Sequence, residues 1–211
     1  MPVLPAQVKL QVPAQDQLPQ LPNGCEVTSL SMLLTAAGRP VDKLELAARE
    51  PRDPTPVTYR PESRSSDLDQ VVSWGNPNTG FVGNPAGSGF GIYHAPLSRL
   101  LNQYLPGRSL DLTGQPITAL QNQLARGIPA VAWVTTTLQP VNDWVSWQSP
   151  TGPVRATRYE HAVLVVGYDA THVYINNPLT GEGSQPVNRD QFLGAWQQLG
   201  DQALSVTPAP S

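Results

Sequence analysis

Two apolar blocks, Ile128–Val134 and Ala162–Val166, constrain what this chain can fold into. They are its longest apolar stretches, yet each is only strand-sized, far short of the roughly 20 residues a membrane helix needs. Ile128–Thr136 is β-rich and reads as a central strand. His161–Tyr168 and Val173–Asn176 read as a hairpin closed through Asp169–His172, and Ala203–Val206 as a closing strand. Val8–Val12 reads as a short strand and Asp143–Gln148 as another, with Trp144 and Trp147 three apart and so facing opposite sides.

The first half has a different character. The opening 22 residues hold five prolines and several glutamines and read as an extended arm. Asn23-Gly24 is a turn signal. Cys25–Ala37 then carries Val27, Leu30, Leu33 and Leu34 at helical spacing, with Gly38 at the C-terminal cap and Pro40 beyond it. Asp42 caps a second helix, with Glu45 completing a capping box. The pattern predicts helices over about Ser66–Trp74, Pro96–Leu105, Ile117–Arg126 and from Asn188 through Trp196. Gly75–Gly91 is rich in Gly, Asn and Pro and reads as irregular. Helices followed by a mostly antiparallel sheet make an α+β class. No linker or repeat divides the chain, so a single domain spanning residues 1–211 is expected, with 207–211 a frayed tail.

Composition removes several functions. One cysteine excludes an internal disulfide and a Cys-rich metal site. Three histidines without an HExxH pattern argue against a histidine zinc centre. Thirteen Lys+Arg against sixteen Asp+Glu give a net charge of −3, with no basic cluster to meet nucleic acid or an anionic membrane. Gly80–Gly91 lacks the Gly-Lys-Ser/Thr of a phosphate loop. No cofactor or metal is expected. Met1–Leu4 has neither the basic flank nor the apolar run of a signal peptide, while the low charge and the Pro, Gln and Asn content favour an exported or envelope protein.

The sole cysteine falls in the first turn of the best helix. Free N–H groups and partial positive charge there favour a thiolate and lower its pKa, whereas Glu26 opposes the thiolate if its carboxylate points at the sulfur. A small buried hydrophobe is the other reading of Cys25. A thiol nucleophile needs a base and an orienting group. His172 sits in a turn and reads as solvated; His94 is structural or lines a site. His161 begins an apolar strand, and the hairpin's return brings Asn176-Asn177-Pro178 back toward it, where Asn177 also reads as a turn residue before the proline. A side-chain amide there can fix the imidazole tautomer. An oxyanion needs donors: the Cys25 N–H is one, and Gln15, Gln17 and Gln20 on the arm are candidates for the second.

These segments together resemble a family. Val12-Pro13, Gln17 and Leu21-Pro22-Asn23-Gly24-Cys25-Glu26-Val27-Thr28-Ser29-Leu30 are similar to the nucleophile segment of bacterial cysteine peptidases related to the bacteriocin-processing (double-glycine leader) peptidases, within the papain-like superfamily. Glu160-His161-Ala162-Val163-Leu164-Val165-Val166-Gly167-Tyr168-Asp169, with Asn176-Asn177-Pro178-Leu179, resembles the histidine segment, and Gly75-Asn76-Pro77-Asn78 with Gly80-Phe81-Val82-Gly83 the stretch between. The resemblance spans about Val8 to Ala203. It implies a papain-like fold, Cys25 as nucleophile, His161 as base, and Asn177 as orienting residue, where many members carry Asp. It points to Gln17 for the oxyanion hole, with Gln20 as fallback. A peptide or protein is the implied substrate. Acyl transfer or deamidation by the same residues, and a non-catalytic surface module of the same fold, are the alternatives. Bacteriocin-processing members sit on an ABC transporter, whereas this sequence has neither a membrane segment nor a Walker motif, so leader processing during export does not follow.

Overall fold

The block Ala162–Val166 lies inside a nine-residue strand, Glu160–Tyr168, in which every residue is buried. The computed structural model describes residues 4–63 and 65–209. In chain order the elements are β1 (Val8–Lys9), α1 (Cys25–Ala36), α2 (Lys43–Arg49), β2 (Arg52–Asp53), β3 (Thr58–Tyr59), β4 (Val71–Ser73), β5 (Phe81–Gly83), β6 (Gly89–Gly91), α3 (His94–Tyr104), β7 (Ser109–Asp111), α4 (Ile117–Ala125), β8 (Ala130–Thr135), β9 (Val145–Ser149), β10 (Gly152–Ala156), β11 (Glu160–Tyr168), β12 (His172–Asn177), β13 (Glu182–Asn188), α5 (Arg189–Gln198) and β14 (Ala203–Val206).

The main sheet is antiparallel throughout, ordered β13-β12-β11-β8-β14-β7, with β1 against the end of β11. Both of its faces are covered, which is why β8 and β11 are apolar without alternation. Ala162, Leu164, Val166, Val131 and Trp133 pack with α1 and α3 on one face. Val163, Val165, Ala130, Ala132 and Val134 pack with α4 and α5 on the other. Ten of the twelve residues of α1 are buried, and its polar side chains are satisfied locally: Thr28 Oγ1 donates to Gly24 O, Ser29 Oγ to Ala162 O and Ser31 Oγ to Val41 O. A second sheet runs β10-β9-β4-β3 and a third β2-β5-β6. Trp74, Phe90 and Trp147 cluster between them.

The architecture is α+β and papain-like, with α1 against the antiparallel sheet. Several local expectations shift. Ser66–Trp74 is not a helix: a 3-10 turn at Leu68–Gln70 leads into β4, because Val71 is drawn into the apolar cluster of Trp74 and Trp147 and tertiary packing overrides a weak helical preference. Gly75–Gly91 contains β5 and β6 rather than only irregular chain. Glu45 closes no capping box; Asp42 accepts from Leu44 N, while Glu45 accepts from Tyr104 OH and pairs with Arg49. The strand expected over Val8–Val12 is confined to Val8–Lys9. Asn188 caps α5 as expected, accepting from Asp190 N and Gln191 N. Of the expected tail, residues 210–211 lie outside the described residues, as do residues 1–3 of the Met1–Leu4 start.

Candidate active site

The site forms where β12 leaves β11. Pairing between these strands begins at Leu164↔Asn176, so Glu160–Val163 has β8 on one edge and, among the described residues, no strand on the other. The N-terminal turn of α1 occupies that open edge. Ser29 Oγ donates to Ala162 O at 3.2 Å, and the backbone of Ala162 hydrogen-bonds the Cys25 sulfur. The nucleophile candidate therefore lies beside the residue that follows His161. Gly24 makes this turn possible, because a Cβ there would stand 2.5 Å from Leu21 Cβ.

His161 and Asn177 meet as the hairpin required. His161 Nε2 and Asn177 Oδ1 are 2.9 Å apart, both groups buried. The network fixes the tautomer. Leu179 N donates to the same Oδ1, and Asn177 Nδ2 donates to Gln185 Oε1. Oδ1 is thus the acceptor, Nε2 carries the proton, and Nδ1 keeps its lone pair. Burial depresses the imidazole to about 4, with the bond to Asn177 pulling the other way.

The thiol departs from expectation. A helix N-terminus favours thiolate, yet Cys25 is pushed well above its ordinary value. Burial is the main cause, followed by the charges of Glu26 and Glu160. Glu26 does point at the sulfur: the thiol donates to Glu26 Oε2 at 3.3 Å. Glu26 Oε1 accepts from Ile92 N at 2.8 Å. Cys25, Glu26 and Glu160 bring one sulfur and two carboxyl oxygens within 4.8 Å of one another, the one such group of three possible metal donors among the described residues. Only Glu26 was marked in the sequence as able to oppose the thiolate. Glu160 was missed, and the available signal was adjacency: one carboxylate follows the cysteine and another precedes the histidine.

Gln17 is buried against the arm's own turn. Its Nε2 donates to Pro22 O at 2.8 Å, while its Oε1 has no partner. Its backbone N–H donates to Pro178 O, which ties the arm to the loop carrying Asn177. Gln15 N donates to Met32 Sδ, and Gln20 is exposed. The other histidines are spent elsewhere: His94 Nδ1 pairs with Asp111 Oδ2 at 2.6 Å, and His172 bonds Thr171.

A cavity of about 420 Å³ opens beside this cluster, walled by Val57, Tyr59, Leu68, Trp74 and Phe90 and reaching Asn23 and Glu160. Gly83, Ser88 and Gly89 also line it, so the glycine-rich segment forms part of the cavity wall. Trp147 is buried behind it, whereas Trp144 is half-buried with the Arg155 guanidinium 3.7 Å above its ring. A second cavity, of about 270 Å³ near Arg108 and Arg126, lies at the other end of α1.

Comparison with known proteins agrees with this arrangement. The profile of the Peptidase_C39 like family matches residues 9–204. The uncharacterized protein YvpB of Bacillus subtilis is 40% identical over 193 residues, covering 91% of this chain and 72% of that protein. A Bacillus anthracis protein provisionally described as a C39-like peptidase has a crystal structure that superposes with a TM-score of 0.85 at 38% identity, covering 97% of this chain and 99% of that one. Xylellain, a cysteine protease of Xylella fastidiosa, shares the fold alone, with a TM-score of 0.54 at 17% identity over 99% of this chain and 88% of that one.

Proposed function

Since the chain belongs to the Peptidase_C39 like family, we propose that it hydrolyses peptide bonds through an acyl-enzyme on Cys25. The observation that carries this reading is the buried bond from His161 Nε2 to Asn177 Oδ1, which leaves the histidine's Nδ1 as a base on the strand α1 abuts. Cys25 Sγ attacks the substrate carbonyl carbon, and the thiol proton passes to His161 Nδ1. As the tetrahedral intermediate collapses, His161 returns that proton to the leaving amine. Water, deprotonated by the same nitrogen, then releases the acyl group. Asn177 positions the ring and fixes its tautomer.

The developing oxyanion has the Cys25 N–H at the start of α1 as its first donor. Gln17 is the second in this proposal, and its Nε2 exchanges Pro22 O for the oxyanion when substrate binds. The cavity beside Glu160 and Asn23 is the space for substrate side chains.

The test is digestion of a defined peptide mixture, read by mass spectrometry, with a primary amine added. Cleaved products that Cys25→Ala abolishes support peptidase action. Products conjugated to the amine replace hydrolysis with acyl transfer. Unchanged peptides from a protein that remains folded refute catalysis and favour a binding module.

A further inference from the structure

Several side chains around Cys25 are left unexplained by a Cys–His–Asn triad. Glu26 is buried and uses both oxygens as acceptors, from the Cys25 thiol and from Ile92 N. Donors aimed at both of its oxygens favour the carboxylate form. Glu160 is 9% exposed, and its Oε1 is buried with no partner among the described residues. Burial and the neighbouring charge of Glu26 push Glu160 well above the usual carboxylate range, so Glu160 holds a proton. Gly91 lets the two carboxyl groups converge, because a Cβ there would collide with Glu26 Oε1 and stand 3.0 Å from Glu160 Oε2.

We propose that Glu26 is a third proton-carrying group of the Cys25–His161 pair: it holds the thiol proton away from His161 until Glu26 itself takes up a proton, while Glu160 stays the neutral member of the carboxyl pair. The proposal rests on Cys25 being the nucleophile. The protons balance as follows. The resting site holds a thiol, a neutral imidazole, the Glu26 carboxylate and the Glu160 acid, with net charge −1. The competent site holds a thiolate, an imidazolium and two neutral acids, with net charge zero. One proton from solvent goes to Glu26, and the thiol proton moves to His161 Nδ1. Acid thus favours the reactive ion pair, and rising pH opposes it.

The surroundings hold Glu26 near this balance. Burial lifts it to about 7, against the pull of the Ile92 N–H, its own N–H and the Cys25 thiol. The charged and titratable groups around it are Cys25 on its own helix, Glu160 on β11, Glu50 after α2, and Tyr93 before α3. Glu50 has Arg52 3.6 Å away. Tyr93 is itself raised, chiefly by burial. No cation among these neutralises Glu26 directly.

Because Cys25 is the only cysteine, carbamidomethylation by iodoacetamide, read by intact mass, reports on this sulfur alone. The full chain is titrated from about pH 5 to 10 as wild type, Glu26→Gln and His161→Ala. The expected wild-type rate has an acid-side maximum, a trough between about pH 7 and 9, and a later rise from free thiolate. Glu26→Gln is expected to fill the trough, reacting at least about tenfold faster at about pH 8, the change that one pKa unit produces. A monotonic wild-type rise through this range overturns the proposal and needs no variant. So does a Glu26→Gln rate at or below wild type in a folded protein. If these fail while His161→Ala still removes the acid-side reactivity, the triad stands without Glu26. If His161→Ala reacts as wild type does across the whole range, the triad itself fails.

Discussion

Replacing Asn177 by alanine separates positioning from proton transfer. Three hydrogen bonds vanish: from His161 Nε2, from Leu179 N and to Gln185 Oε1. The first matters most, because His161 is only 2% exposed and water does not replace the acceptor. An orphaned buried donor costs about 1–3 kcal/mol, and the two more accessible bonds about 0.5–1 each, so about 3 kcal/mol of stability is lost. For a chain of this length that is a fall in Tm of about 6–12 °C. Freed of its acceptor, the imidazole also loses its fixed tautomer, and misplacement of a reacting group costs on the order of 100-fold in rate. Asn177→Asp is the control: it keeps an acceptor for Nε2–H and adds a charge that raises the imidazole above its value of about 4. Thermal unfolding and peptide turnover are measured on both. An Asn177→Ala protein within about 2 °C of wild type, with unchanged turnover and tautomer by NMR, refutes the assigned role.

Other perturbations follow from packing and burial. Gly24→Ala drives a Cβ against Leu21, and overpacking of this kind destabilises by about 1–3 kcal/mol, read as a lower urea midpoint. Glu50 is held at about 9 by burial, next by the charge of Glu26, with Arg52 opposing. A carboxyl raised on folding keeps a proton that the unfolded chain releases above its ordinary value. Its contribution therefore turns unfavourable as pH climbs from about 4.5 toward 9, by up to about 1.4 kcal/mol per pH unit. Urea midpoints between about pH 5 and 8 are expected to fall, and Glu50→Gln to flatten that slope; a slope unchanged in the variant contradicts the burial argument.

The parts of this site legible in the sequence were those set by local pattern. Cys25 at a helix start follows from Asn23-Gly24 and the apolar spacing behind it. The meeting of His161 with Asn177 follows from a hairpin whose turn the residues specify. β8 and β11 announce themselves by uninterrupted apolar runs. The parts that escaped depend on contacts distant in sequence. Nothing in Gly152-Pro153-Val154-Arg155-Ala156 marks a strand until it pairs with Val145–Ser149. Val71 becomes strand because aromatic side chains from two sheets gather around it. The convergence of Glu26 and Glu160 needs α1 laid on the open edge of β11 and a glycine opposite, and it reverses the pKa direction that the helix dipole alone predicts. Gln17 was placed by resemblance, and its bond to Pro22 O has no signature in composition.

Peptidase action requires that Cys25 be a nucleophile activated by His161. Incubation with an epoxysuccinyl peptide inhibitor, followed by intact mass, tests this most directly. The expected result is one adduct per wild-type chain, none on Cys25→Ala, and labelling slowed at least about 100-fold in His161→Ala. Equal labelling of wild type and His161→Ala, or no adduct on a folded wild-type chain, would contradict it.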